Sequence, residues 1–301
     1  MNGFSNTVTL NNLQRGILFL GDSFTWGEGL ELYCDTAKWI SERNHINTWQ
    51  NLRNKQDSDG TDFRKNNRYP GIVARHFNTN AYIDDNNGGY IQRYLETANQ
   101  HLLNPDLYID TIVIQFSIIS RDPLHSTLRN CKCMFCTNIE YYCVYEDIEN
   151  FLYKLMYNIE LSELDKETLH IIENSIKMQK DNPNFIEKVQ EQINNSYQSM
   201  LDNFYLDYVK FWQAGGKRKI YVIDSWDTIT SKFILNSEFN NYKIPLIGKD
   251  NKKYYTYETW KNTFKFKEIS HEFKGCGNGH PTLEQHQYLA KSVIQAIENR
   301  R

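Results

Sequence analysis

The stretch "GILFLGDSFTWGEGL", residues 16–30, joins a short apolar run to an abrupt polar turn. The run has the length and composition of a buried strand, and it stops at Gly21 and Asp22. Gly21 permits a sharp turn, which would place the Ser23 hydroxyl at the carboxyl end of that strand. Ligands of open parallel sheets bind outside the carboxyl ends of the strands, so this turn is a candidate site.

Three further apolar runs resemble the first, and helical patterns separate them. The runs are "AYID" (81–84), "TIVIQF" (111–116) and "KIYVID" (219–224). None alternates cleanly between apolar and polar residues, as expected of strands that are covered on both faces. The sequence therefore predicts an α/β fold around a mostly parallel sheet. Helices are predicted at about 30–45, 69–77, 90–103, 145–158, 164–178 and 185–213.

The segment 282–300 predicts an amphipathic helix with one apolar stripe. Thr282 is a candidate N-cap, with Gln285 three residues later as in a capping box. His280 precedes this helix in a glycine-rich turn, where it could act as a general base. His286, within the helix, is predicted to lie on its surface.

Two regions do not fit the alternation of strands and helices. Residues 46–66 are polar and predict a loop, and residues 228–270 predict an irregular lobe or a small hairpin. Within the second region, the Lys- and Tyr-rich residues 252–266 predict a solvated face, with a polyanionic glycan contact as the alternative. No linker divides the chain, which predicts a single domain.

Charge and hydropathy exclude several classes of partner. The formal net charge is −3, and no basic block suggests nucleic acid. No run approaches the 18 apolar residues that indicate a membrane span. The N-terminus, which starts at Met1, lacks the basic and apolar regions of a signal peptide, so a cytoplasmic location is predicted. The 20 Tyr, 16 Phe and 6 Trp residues indicate either a carbohydrate-facing surface or a biased coding sequence.

The tripeptide Gly21-Asp22-Ser23 has two interpretations when it is considered alone. A nucleophilic serine needs exposure, a tight turn and backbone N–H donors beside it, and the start of a helix supplies such donors. Alternatively, Asp22 or Ser23 simply caps the next helix.

Several blocks, in order along the chain, resemble the SGNH (GDSL-type) hydrolase superfamily. They are "GDSFTWGEG", "RYPGIVARHF" (68–77), "DDNNGGYIQRYL" (84–95), "IVIQFSIISRD" (112–122) and "NGHPTLEQHQYLA". The resemblance implies a three-layer α/β/α sandwich with a flavodoxin-like parallel sheet of about five strands. It also implies one domain over residues 1–301, with insertions at about 123–215 and 228–270.

The resemblance assigns roles to individual residues. Ser23 would be the nucleophile and His280 its general base, with Asn278 where the third triad member belongs. The oxyanion would bind the N–H groups of Ser23 and Gly89, with Gly88 as the alternative to Gly89. Asp22 would order the turn, and no cofactor would be needed. Asp22, Gly88, Trp26, Ser117 and Arg121 are expected to contact substrate, and Ser117, Ser120 or Arg121 could replace the Asn donor that this chain lacks. Trp26 and Glu28 follow Ser23 closely enough to line the pocket, with packing against the first helix as the alternative for Trp26.

Two departures from the superfamily pattern bear on activity. The third block normally supplies an Asn side chain to the oxyanion, whereas this chain has Ser117-Ile118-Ile119-Ser120. Near the C-terminus, Asn278 or Gly277 stands where the triad Asp is expected. Losing one oxyanion donor costs a factor of about 10²–10³ in rate. Candidate replacement carboxylates are Asp224, Asp227 and Glu272.

A cysteine cluster follows the third block. Four thiolates within such a short span could bind a structural zinc ion with no open coordination position. The alternative is four reduced thiols in an insertion. The cysteines are Cys131, Cys133, Cys136 and Cys143.

These features predict a serine esterase that removes acetyl or another small acyl group from a small-molecule or glycan ester. Two alternatives remain open at this stage. An O-acyltransferase would use the same residues with a sugar hydroxyl in place of water. A glycan- or partner-binding module would have lost catalysis through the two departures. The sequence does not fix the oligomeric state.

Overall fold

The computed structural model describes most of the predicted sheet and the segments around it. The described residues are 14–34, 58–83, 91–117, 195, 197–273 and 279–300.

The chain packs as two compact units. One unit joins residues 1–118 to residues 202–301, and the other comprises residues 119–201. All elements named below belong to the first unit. The single-domain organisation over residues 1–301 stays a prediction.

Each of the four apolar runs forms a strand of one sheet. The spatial order is β2-β1-β3-β4, and every pair is parallel. The α/β prediction is therefore confirmed, and the described residues hold four strands of this sheet where about five were predicted. The strands are β1 (Gln14–Leu20), β2 (Asn80–Ile83), β3 (Leu107–Gln115) and β4 (Lys219–Ile223).

The strand order places a switch point beside β1. β2 pairs with one side of β1 and β3 with the other, so the winding of the chain reverses there. Leu20 pairs with Ile114, which aligns the carboxyl ends of β1 and β3. The residues that follow β1 therefore lie at the edge of the sheet where ligands of such folds bind.

Helices and a two-stranded antiparallel hairpin surround the sheet. The hairpin consists of β5 (Leu246–Ile247) and β6 (Lys253–Tyr254). The helices are α1 (Ser23–Trp26), α2 (Ser58–Asn67), α3 (Tyr69–His76), α4 (Ile91–Leu102), α5 (Lys210–Gly216), α6 (Thr228–Leu235), α7 (Tyr257–Lys261), α8 (Ile269–Glu272) and α9 (Leu283–Asn299). Leu30–Tyr33 and Glu238–Tyr242 form 3₁₀ helices, and the π-helical turn Tyr205–Val209 precedes α5.

Helices cover both faces of the sheet. Phe19 and Val113 pack on one face in a cluster with Val73 of α3 and Leu289 of α9. Leu18, which is fully buried, points to the opposite face because side chains alternate along a strand. Helix α4 packs against β1 and β3. This arrangement is consistent with a three-layer α/β/α fold.

The region 228–270 contains short helices together with the β5–β6 hairpin. The prediction of a solvated face at 252–266 is wrong for three aromatic residues. Tyr257, Trp260 and Phe264 are buried in the main core, and the Trp260 indole donates to the Ile247 carbonyl over 2.7 Å. Because the lysines between them conceal their spacing, the sequence suggested exposure.

The predicted loop at 46–66 is wrong at its end, where helix α2 forms. The helix has a polar sequence, but Phe63 packs beside a small buried cluster that includes Leu32 and Ile269. Arg64 forms a buried ion pair with Glu31. Burial raises the pKa of Glu31, and the Arg64 charge offsets only part of that effect. Within the described ranges, no helix has the length and apolarity to cross a membrane.

Candidate active site

The turn after β1 positions Ser23 as the first residue of helix α1. Asp22 is the extended N-cap of this helix, and its Oδ1 accepts the Phe24 N–H over 3.0 Å. Gly21 is required because a Cβ there would overlap the Thr25 side chain. The strand therefore passes directly into a helical turn, which fixes the direction of the Ser23 side chain.

Both carboxylate oxygens of Asp22 accept hydrogen bonds. Its Oδ2 accepts a hydrogen bond from the Trp226 indole over 2.8 Å, and the residue is 1% exposed. Trp226 follows β4, so Asp22 joins the ends of two strands that are not neighbours in the sheet.

The structure brings Ser23 and His280 together. The Ser23 Oγ lies 2.6 Å from the His280 Nε2, although 257 residues separate the two in sequence. Ser23 is 4% exposed, and 19% of the His280 side chain is accessible. A neutral imidazole at this distance can accept the serine proton, which is the geometry that general-base activation needs.

Contacts fix both the ring and the backbone of His280. The ring packs against the Phe24 ring in a T-shaped arrangement at a centroid distance of 5.1 Å, and the backbone carbonyl accepts the Ile269 N–H over 2.9 Å. Two residues later, Thr282 and Gln285 form the predicted capping box of α9. The imidazole thus projects from a segment that is fixed at the start of a 17-residue helix.

Glu28 lies beside the same pair of residues. Its Oε2 is 3.6 Å from the His280 Nε2, and 9% of its side chain is exposed. That Glu28 lines a substrate site stays a prediction, and no pattern in the sequence indicates that its carboxylate approaches the imidazole.

Trp26 is partly buried against the main core. The Arg64 guanidinium covers one face of its ring, 3.4 Å from the centroid. A sugar stacked on Trp26 would therefore have to use the opposite face.

Ser117 lies at the same edge of the sheet, two residues beyond β3, and is 1% exposed. Its backbone N–H donates to the Tyr94 hydroxyl over 3.0 Å, and that hydroxyl donates to the Gln115 carbonyl. The Ser117 N–H is thus committed to α4 in this structure.

The three candidate replacement carboxylates each have other partners. Asp224 accepts the Ser231 hydroxyl and the Tyr257 N–H and pairs with Lys243 at 2.8 Å. Asp227 caps α6, and Glu272 accepts the Tyr33 hydroxyl over 2.5 Å.

Several predicted site residues fall outside the described part of the chain. Among the described residues, no group of three or more His, Cys, Asp or Glu side chains could hold a metal ion. The residues outside the description are Gly88, Gly89, Arg121, Asn278 and the four clustered cysteines Cys131, Cys133, Cys136 and Cys143.

A buried polar chain beneath Ser23 was missed by the sequence analysis. The Thr25 hydroxyl donates to the Gln115 Oε1 and shares a hydrogen bond with the Tyr69 hydroxyl, each over 2.9 Å. The Tyr69 N–H donates to the His286 Nδ1 over 3.3 Å, and the two rings stack. The sequence offers one indication of this chain, because Gln115 and His286 are polar residues within otherwise apolar elements.

The prediction that His286 lies on the helix surface is wrong. Helix α9 packs against α3, and this contact leaves His286 with no exposed surface. Burial lowers the pKa of His286 to about 3, and the charges of His280 and Arg68 act in the same direction. Burial also raises the pKa of Tyr69. His286 is therefore a neutral packing residue and not a second base.

Neither a known protein family nor a curated protein matches the chain. The chain is similar to one solved structure, that of a carbohydrate esterase. The active site of that esterase is described as displaying divergent catalytic and non-catalytic binding functions. The TM-score is 0.40 at 14% identity, over 96% of this chain and 70% of that one. A likeness at this level establishes neither a family nor an activity.

Proposed function

We propose that the protein is a serine-dependent ester hydrolase of the SGNH type. In this proposal it removes acetyl or another small acyl group from a carbohydrate through an acyl-enzyme on Ser23. The observation that carries the proposal is the 2.6 Å contact between Ser23 Oγ and His280 Nε2. The contact lies at the carboxyl edge of a parallel sheet, where ligands of such folds bind.

The proposed reaction proceeds in two steps. In the first, His280 takes the Ser23 proton at Nε2 while Oγ attacks the acyl carbon, and the protonated imidazole then returns the proton to the leaving alcohol. In the second, water attacks the acyl carbon and gives a proton to His280, the bond to Ser23 Oγ breaks as the acid is released, and the protonated imidazole returns the proton to Ser23 Oγ. The oxyanion of each step would accept the backbone N–H groups of Ser23 and Gly89, or of Gly88 in place of Gly89.

In this proposal the alcohol part of the ester is a carbohydrate. Trp26 stands three residues after Ser23 and is partly exposed, and an aromatic side chain in such a place could stack on a sugar. The abundance of aromatic residues agrees with a carbohydrate substrate.

The first prediction concerns the reactivity of Ser23. A fluorophosphonate probe should add once to the wild-type protein, and intact mass with peptide mapping should place the adduct on Ser23. Ser23→Ala should abolish the adduct, because the nucleophile is gone. His280→Ala should slow labelling by about 10³-fold or more, because the hydroxyl loses its base.

Ser199→Ala is the matched control, since Ser199 is exposed on a helix of the other unit. It should label at the wild-type rate. A wild-type protein that gains no adduct would contradict the proposal and favour a non-catalytic glycan-binding module. If the adduct forms on Ser23, release of acetate from acetylated sugars, with and without an added acceptor alcohol, separates hydrolysis from acyl transfer.

A further inference from the structure

A buried carboxylate lies next to the nitrogen that would carry the transferred proton. The His280 Nε2 is 2.6 Å from the Ser23 Oγ and 3.6 Å from the Glu28 Oε2. The Glu28 side chain is 9% exposed and that of His280 19%. The charges of two groups this close and this shielded interact much more strongly than they would in water.

The backbone around Glu28 fixes this approach. Gly27 and Gly29, on either side of it, have φ values of 81° and 94°, which only glycine adopts without strain. The Gly27 and Glu28 N–H groups both donate to the Ser23 carbonyl, over 2.9 and 3.0 Å. A Cβ at Gly27 would also lie 2.8 Å from the Arg68 Cβ. The turn therefore folds Glu28 back over the residue that begins α1.

The separation indicates how the carboxylate acts. At 3.6 Å the Glu28 oxygen is beyond hydrogen-bond distance of the His280 Nε2, so the two groups interact through their charges. When Ser23 gives up its proton, the ring becomes positively charged, and a carboxylate at this distance stabilises that charge. In a Ser-His-Asp triad, an aspartate on the other ring nitrogen has this task, but residue 278 of this chain is a neutral Asn.

We propose that Glu28 is a positioning residue that stabilises the imidazolium form of His280 from the Nε2 side. This inference rests on the proposed function. The proton moves from the Ser23 Oγ to the His280 Nε2 and from there to the leaving alcohol.

Other ionisable groups face the same region. Asp22 precedes Ser23 and is committed to the α1 turn. His286 is buried in α9, Arg68 packs beside Gly27, and the Glu268 carboxylate lies near the place that a Cβ on Gly279 would occupy. Glu28 forms an ion-pair contact with His280.

The test uses Glu28→Gln, which removes the charge and keeps the shape. A nearby anion favours the protonated imidazole, so its loss should lower the pKa of His280. The acid limb of the labelling rate should move to lower pH by about one unit, since an opposite charge within about 4–6 Å shifts a pKa by one unit or more. The plateau labelling rate should fall by about tenfold.

Glu284→Gln is the matched control. Glu284 lies four residues after His280 but pairs with the exposed Lys249 at 2.7 Å. This variant should keep the wild-type rate and pH limb. Glu28→Asp, which keeps the charge but is shorter by one methylene, should show a smaller change than Glu28→Gln. If Glu28→Gln fails to fold, Glu28→Asp carries the test, with a slower rate and a smaller shift in the same direction.

A second readout separates this inference from the proposed function. NMR titration of His280 in wild-type protein and in Glu28→Gln measures the coupling directly, whether or not Ser23 is reactive. A lower His280 pKa in the variant is expected. An unchanged pKa, or a labelling limb that stays in place while melting temperatures match, would overturn the role of Glu28. An absent adduct on the wild type would overturn the esterase proposal alone.

Discussion

At the scale of single residues, Thr25 connects the nucleophile turn to the interior. It lies two residues after Ser23 and is 2% exposed. Its one hydroxyl bonds Gln115 of β3 and Tyr69 of α3. Because buried polar groups are costly when they lose a partner, this hydroxyl fixes the turn more firmly than its size suggests.

Thr25→Val should therefore destabilise the protein while keeping its shape. It leaves the Gln115 oxygen and the Tyr69 hydroxyl each without one partner, which costs about 1–3 kcal/mol of unfolding free energy. Urea denaturation measures this loss. Thr25→Ser retains the hydroxyl and should lose less. Equal losses in the two variants would mean that the methyl group, and not the hydroxyl, stabilises the turn.

Single residues also show which parts of the candidate site can be predicted from the sequence. Ser23 and His280 could be identified because each adjoins a recognisable element, a strand end or a helix start. The contacts between Thr25, Tyr69 and His286 could not be, because they join three separate elements whose packing angles no local pattern states. Glu28 lies between these cases. It is near Ser23 in sequence, but its approach to His280 depends on two left-handed glycines.

At the scale of elements, helix α9 connects the imidazole to the core. Its N-cap Thr282 accepts the Gln285 N–H, and the Gln285 side chain accepts the Thr282 N–H. Few residues lie between His280 and the start of the helix, so a shift of the helix start would move the imidazole. The cap therefore bears on where the imidazole lies as well as on the stability of the helix.

Thr282→Ala should lower the unfolding free energy by about 0.5–2 kcal/mol and also slow fluorophosphonate labelling of Ser23. Urea denaturation and labelling kinetics measure the two effects. Ser237→Ala, which removes the cap of the 3₁₀ helix Glu238–Tyr242, should lower stability without slowing the labelling. If both variants label at the wild-type rate, the α9 cap does not position His280.

Elements with strong patterns were predicted more closely than polar ones. The helix predicted at 282–300 is observed as Leu283–Asn299, and the four strands lie within a few residues of the apolar runs. Helix α2 was predicted as a loop because its buried partners are charged, and an Arg64–Glu31 pair leaves no apolar period to detect. The structure of that segment depends on tertiary contacts, and local sequence propensity contains no information about them.

At the scale of the whole molecule, His286 couples stability to pH. In the folded protein its pKa is lowered to about 3, whereas the unfolded chain protonates it near 6.5. Between these values the unfolded state binds more protons, so stability falls as pH falls from about 6.5 towards 3. The slope approaches about 1.4 kcal/mol per pH unit for this one group.

His286→Asn should flatten this dependence, because the amide oxygen can still accept the Tyr69 N–H but does not titrate. Urea denaturation at pH 7, 5.5 and 4 compares the slopes. His271→Asn is the control, since His271 is exposed and its replacement should leave the slope unchanged. A wild-type slope in His286→Asn would mean that other groups cause the acid sensitivity.

Because Ser23 and His280 lie far apart along the chain, the ribosome makes the serine well before it makes the histidine. At about 5–20 residues per second, synthesis of the 257 residues that follow Ser23, up to and including His280, takes about 13–50 seconds. During that interval the nascent protein carries its serine without a base, and the hydroxyl is as unreactive as any other. The chemistry of the proposed site therefore begins only when α9 docks on the sheet, so the polypeptide is inert while it is being made.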